Sequence, residues 1–252
     1  MKERLRILIA ADSMAMPRSV TSYEETWIHM LKTKFPLYDI IDKSERGFST
    51  ERLVTAGGGG VDLLEMYTPD IVILQAGMID AAPRLFRRQG FEYWFLQNVI
   101  PLRFKKTYID YIKRHRGRRP ETTYISPEKF RSNIINYFDR AVKIDCRIIA
   151  ILLAKPNRNL LAKSPYAYIN IEKYNAIYRE VASSYSNVML IQPFDDDYDY
   201  DRIVVDEYHH NGEGAEIICA KLSNAIKQLT NRNPRLRSSK ARGKTSIPSV
   251  LK

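Results

Sequence analysis

The chain has 252 residues, of which 44% are hydrophobic and 11% aromatic, and its formal net charge is +11. That composition excludes a disordered chain, and the length suffices for one large α/β domain with a buried core or for two small ones. The longest apolar runs, such as 148–154 ("IIAILLA"), are too short to cross a bilayer, so no membrane span is expected.

Lys2, Arg4 and Arg6 precede a strand-length apolar run with no cleavage-site pattern, so no signal peptide is expected. Strands are predicted at 6–11, 38–42, 70–76, 147–154 and 187–192, where β-branched and other apolar residues cluster. Helices are predicted between and after them at 23–34, 61–67, 127–142, 169–183 and 212–230. In the last, Ala215, Ile218, Cys219, Leu222, Ala225, Ile226 and Leu229 recur at helical spacing and mark one apolar face. "SPEK" at 126–129 is a helix start, a capping hydroxyl followed by proline in the first turn. The stretch 91–123 breaks the alternation and reads as an aromatic, basic helical insertion over one edge of the sheet. Its segment 103–119 carries eight Lys or Arg against Asp110 alone. From Lys227 onward another eight basic residues stand with no acid, and 231–252 is expected to be a mobile tail after a domain spanning 1–230. Neither cluster belongs to a nucleic-acid motif, so nucleic acid is not an expected partner. A solvated helix face and a tail open to some anionic partner are expected instead. Cys146 and Cys219 sit in apolar surroundings and are expected to be reduced thiols, which points to the cytoplasm.

Strands alternating with helices predict a three-layer α/β/α architecture around a mostly parallel five-stranded sheet. In such sheets ligands gather at the carboxyl ends of the strands. Three segments are expected to meet there: Asp12-Ser13, the stretch 74–84 with Gln75, Gly77, Ile79 and Asp80, and the stretch 204–214 with Asp206, His209 and His210. A serine, a histidine and an acid from separate segments suit nucleophilic catalysis, because a serine hydroxyl is weak until an oriented imidazole takes its proton. Read from the residues alone, Ser13 is either a nucleophile or a cap for the turn after the first strand. Asp206, His209 and His210 are also potential metal ligands, but no further histidine cluster completes a zinc set, and neither metal nor cofactor is expected. "GGGG" at 57–60 lacks the Lys-Ser/Thr of a phosphate loop and reads as a turn. "DDDYDYD" at 195–201 reads as a solvated acidic loop.

These residues carry a resemblance. "ILIAADSMAMPR" resembles the first block of the SGNH (GDSL-type) hydrolases, and "DEYHHNGEG" resembles their last block, with Asp206, His209, Asn211 and Gly214 in register. "KSERGFST" resembles the second block through Gly47, "QAGMIDAAPR" the third through Gly77 and Asp80, and "YNAIYREVA" the helix before the last strand. The likeness spreads over roughly residues 5–230 and implies a flavodoxin-like fold. Two positions depart from the pattern: Ala11 replaces the glycine before Asp-Ser, and Ile79 stands where the family has an oxyanion-hole asparagine. The spacing "GxxDxxPR" also resembles a variant third block of SGNH-like proteins from bacterial surface-polysaccharide gene clusters.

The resemblance implies a serine esterase with Ser13 as nucleophile, His209 as base and Asp206 as its orienter, with the N–H groups of Ser13 and Gly47 as the oxyanion hole. Asp12, Gln75, Gly77, Ile79, Asp80 and His210 would line the site. The substrate would be an acyl ester, such as an acetyl ester, of a carbohydrate or small molecule. Two alternatives share the fold: an O-acyltransferase acting on a polysaccharide through the same site, and a binding protein without turnover.

Overall fold

Ile7, Leu8, Ile9, Ala10 and Ala11 are all sealed from solvent, the mark of a strand covered on both faces. In the computed structural model, which describes residues 4–55, 63–87, 90–115, 122–195 and 198–232, they form β1 (Arg6–Ala11). The other strands are β2 (Asp39–Asp42), β3 (Ile71–Gln75), β4 (Arg147–Ile151) and β5 (Val188–Ile191). They build one sheet in the order β2-β1-β3-β4-β5, and every pairing is parallel, so the expectation of a mostly parallel sheet becomes a fully parallel one.

The helices are α1 (Trp27–Lys34), α2 (Met78–Ala81), α3 (Phe91–Asn98), α4 (Leu102–His115), α5 (Pro127–Lys143), α6 (Arg158–Lys163), α7 (Ala167–Ala182) and α8 (Gly212–Arg232). α5 and α7 pack together against one face of the sheet, where Phe130, Ile134, Tyr174 and Tyr178 meet Leu8, Leu74 and Ile148. α1 and α8 pack against the other, where Trp27, Leu31, Ile218 and Leu222 meet Ile7, Ile73 and Ile149. Cys146 and Cys219 form no disulfide and are both buried, in the cores on opposite sides of the sheet.

Several boundaries move. β4 stops at Ile151 because Asn175 of α7 takes over the ladder, accepting from Leu153 N at 2.8 Å and donating to Leu153 O at 2.9 Å. α1 begins at Trp27, four residues later than expected, because Thr26 Oγ1 caps it by accepting from His29 N. The helix expected at 61–67 is a turn in its described part, 63–67. Thr68 there has φ of 40° and precedes Pro69, a pair that cannot continue a helix. Within the expected insertion the structure forms α3 and α4, and α4 buries none of its residues. The glycine run at 57–60 and the tail from 233 lie outside the described residues. Among the described residues no helix is long and apolar enough to cross a membrane.

Strand order 2-1-3-4-5 reverses between β1 and β3, and the crevice above their carboxyl ends is where such sheets hold ligands. Asp12 and Gly77 open the segments that leave those two ends.

Candidate active site

Asp12 and Ser13 divide the roles that the sequence leaves open. Asp12 N donates to Gln75 O at 2.9 Å, carrying the β1–β3 ladder one step past the strand end. Asp12 Oδ1 accepts from Met14 N at 2.9 Å and caps the 3₁₀ turn Ser13–Ala15. The aspartate is therefore the cap, and the serine hydroxyl is left for another partner. Ser13 Oγ lies 3.0 Å from His209 Nε2. Asp12 is itself sealed, and burial lifts its carboxyl to about 7 against the pull of the Met14 N–H, with nearby Asp80 raising it further and Arg18 opposing.

His209 is held by the loop that precedes α8. Asp206 accepts from the backbone N–H groups of Tyr208 (3.0 Å) and His209 (2.9 Å), an arrangement that coils the segment so that both side chains share one side. Its carboxylate also lies 2.7 Å and 2.9 Å from His209 Nδ1. A carboxylate only accepts, so Nδ1 carries the proton and Nε2 presents its lone pair toward Ser13. Burial pushes the Asp206 carboxyl up, but these N–H groups outweigh it and hold it below its ordinary value. The His209 imidazole is lowered, first by burial and further by the Arg18 and Arg46 cations, against the pull of Asp206. It is thus neutral near neutral pH, the form a general base requires.

The loop that carries Gly47 continues the β2 side of the β1 ladder beyond Asp42: Lys43 N donates to Ile9 O and Glu45 N to Ala11 O, both at 2.9 Å. This brings Arg46 and Gly47 beside the serine turn, and Arg46 Nη2 lies 3.5 Å from Pro17 O. Gly47 has φ of +76°, which frees the backbone to turn there. Behind it, buried Asp80 accepts from Thr50 N at 3.0 Å and from Thr50 Oγ1 at 2.6 Å, pinning this loop to α2. Burial raises Asp80 to about 6, with the Thr50 groups opposing.

The remaining expected residues fall into distinct places. Gln75 meets the serine turn through its backbone carbonyl, while its side-chain oxygen accepts from Trp27 Nε1 at 3.2 Å. Gly77 has φ of +118°, and a Cβ there would stand 3.1 Å from Leu153 and 3.2 Å from Phe130, so it is a structural glycine. Ile79 is half-buried and lines a cavity of about 240 Å³ together with Arg84, Leu160, Glu207 and Tyr208. That cavity adjoins the histidine, since the Tyr208 and His209 rings are 4.5 Å apart. His210 is buried edge-on against Phe194 at 4.8 Å, and burial lowers it to about 3, so it is a neutral wall residue. Gly214 is required by this wall: a Cβ there would meet Ile203 O at 2.8 Å. No group of three or more metal-ligating side chains occurs among the described residues.

Two residues at the site carry no signal in the sequence. Asn157 caps α6 and donates from Nδ2 to Asp206 O at 2.7 Å, anchoring the histidine loop from 49 positions away. Arg18 donates from Nη2 to His209 Nε2, the same lone pair that faces Ser13.

No protein-family model matches the sequence, and no curated protein matches it significantly. Solved structures match it in fold. The chain is similar to an acetyl xylan esterase, AlAXEase (TM-score 0.61, 16% identity, 88% of this chain and 99% of that one). It is similar to a lipase/acylhydrolase from Enterococcus faecalis (TM-score 0.61, 15% identity, 90% and 97%). It is also similar to a GDSL-like lipase from Bacteroides thetaiotaomicron (TM-score 0.56, 15% identity, 89% of each chain). The five parallel strands with helices on both faces are thus the α/β/α fold of the SGNH hydrolases, reached here at low sequence identity.

Proposed function

We propose that this chain is a serine-dependent esterase that removes a short acyl group, such as acetate, from a carbohydrate or another small ester. The observation that carries the reading is the relay Ser13 Oγ to His209 Nε2 (3.0 Å) and His209 Nδ1 to Asp206 (2.7 Å), set at the β1/β3 switch point. In this reading Ser13 Oγ attacks the ester carbonyl while His209 Nε2 takes its proton. The tetrahedral oxyanion is received by the backbone N–H groups of Ser13 and Gly47. Collapse expels the alcohol, to which the imidazolium returns the proton, leaving an acyl-serine. Water then repeats the sequence, releasing the carboxylic acid and restoring the hydroxyl. Asp206 keeps the imidazole in the productive tautomer and stabilises its charged form.

Ile79 brings no donor to the oxyanion, so this site relies on backbone donors where the family pattern has an additional asparagine. Its position on the cavity wall suits it to an apolar part of the substrate. The structural neighbours named as acetyl xylan esterase and as lipases support ester chemistry, and the cavity volume suits a small acyl carrier better than a long chain. The buried thiols, which form no disulfide, support a reducing compartment such as the cytoplasm. The test is hydrolysis of 4-nitrophenyl acetate by wild type and Ser13→Ala. The reading requires activity in the first and background in the second; equal rates in both would refute it.

A further inference from the structure

Arg18 stands five residues after the serine, and its position is fixed by a tight turn in which Arg18 N donates to Thr21 O (2.9 Å) and Thr21 N to Arg18 O (3.2 Å). From there its guanidinium reaches His209 Nε2. A neutral imidazole offers one lone pair at that nitrogen, and Ser13 Oγ–H needs it. With Arg18 in place the nucleophile and the cation compete for one acceptor. The rest of the guanidinium is poorly served. Arg18 Nε is buried and has no hydrogen-bond partner, and no carboxylate of the described residues lies within salt-bridge reach of Arg18. Asp206 is turned onto the histidine and Asp12 onto Met14 N. Arg46, whose guanidinium donates to Pro17 O beside Arg18, adds a second positive charge that acts on the same ring, and Arg84 stands on the wall of the adjoining cavity, where among the described residues Glu207 is the only acidic lining residue.

A half-buried cation with an unmet donor, held by a turn beside a nucleophile, is a receptor for an anion. Resting on the esterase reading, we propose that Arg18 reads charge on the substrate: a carboxylate or phosphate near the ester draws the guanidinium off His209 Nε2 and releases that lone pair to Ser13. The carrier alcohol is then an acidic one, a sugar acid or a sugar phosphate, and neutral esters meet a site whose base is occupied. No covalent step is added; the anion exchanges one hydrogen-bond acceptor of Arg18 for another.

The test compares three acetyl esters that differ mainly in charge: methyl 4-acetoxybenzoate, 4-acetoxybenzoate and 4-acetoxyphenyl phosphate. Wild type should favour the charged esters in kcat/KM by about tenfold, the scale of one charge-assisted hydrogen bond. Arg18→Gln should bring the esters together, gaining on the neutral one and losing on the charged ones. Preference for one anion over the other assigns carboxylate or phosphate; equal preference assigns charge alone. No preference in wild type, or one that survives in Arg18→Gln, overturns the proposal.

A second measurement does not need turnover. The His209 imidazole, titrated by NMR, should shift to higher pKa in Arg18→Gln, and inorganic phosphate added to wild type should move the Nε2 resonance in the same sense. An imidazole that responds to neither overturns the proposal as well. If the esterase reading alone fails, no ester is consumed and Ser13 is not acylated, yet the imidazole still reports Arg18 and its displacement by phosphate.

Discussion

A serine hydroxyl has little nucleophilic strength of its own, so in the proposed esterase Ser13 would depend on the lone pair of His209, 3.0 Å away, and on the tautomer set by Asp206. His209→Ala should remove nearly all esterase activity. Asp206→Asn should lower turnover by about 10³–10⁴-fold, because the imidazole loses its orientation but remains present. His210→Ala should keep most of the activity and lose stability instead, since His210 packs against Phe194 and bonds to no polar group among the described residues. Rate and melting temperature measured on all three variants separate these roles. Asp12 makes a prediction about pH. Its carboxyl is raised to about 7 by burial, so the folded state holds a proton that the unfolded chain releases near pH 4. The charge then weakens the fold as pH rises from about 4 through about 7. Asp12→Asn retains the oxygen that accepts from Met14 N and lacks the charge. Relative to this variant, wild type should lose stability between pH 5 and pH 8, read as melting temperature at each pH; a constant difference would mean that Asp12 ionises normally.

At the scale of elements, the strands and long helices were legible because burial leaves a simple trace. Strands covered on both faces read as unbroken apolar runs, and β1 has the bounds expected of it. α5, α7 and α8 each repeat apolar residues at helical spacing along the face that meets the sheet. Short elements leave no period. α2 has four residues and α6 six, and each exists through its turn, Gly77 in one case and the Asn157 cap in the other. Ile79 was legible as a departure from a family pattern, but whether it faced core or crevice was not, since α2 shows no apolar periodicity. Its place on the cavity wall decides what a polar replacement does. Ile79→Asn should leave the melting temperature nearly unchanged, because the amide meets solvent in the cavity. It should also raise turnover of an activated ester by about tenfold, by adding a donor to the developing oxyanion. A destabilised and no faster variant would remove α2 from the oxyanion hole.

Across the whole molecule, the candidate site is a product of topology. Ser13 and His209 lie 196 positions apart, and they meet because β1 lies inside the sheet, between β2 and β3, and the loop before α8 returns above its carboxyl end. The sequence spacing that mattered was local: Asp206-x-x-His209 is set by one turn, which is why it could be read without a structure. Arg18 and Asn157 are polar residues in loops and Thr50 opens a short 3₁₀ helix, and their partners lie 191, 49 and 30 positions away. Nothing in their neighbours along the chain announces those contacts, so only the folded chain reveals them. A residue whose role depends on distant partners should lose that role when the chain unfolds, and a measurement of Ser13 reactivity reads that loss.

That measurement is the reaction of the intact protein with a fluorophosphonate, followed by mapping of the modified residue by mass spectrometry. An activated serine attacks such a probe at phosphorus, while an ordinary hydroxyl does not. Stoichiometric modification of Ser13 is expected in the folded protein, and none in His209→Ala or in the chain unfolded by urea. A folded wild-type protein left unmodified at Ser13, or modified equally well without His209, would contradict the proposed role of Ser13.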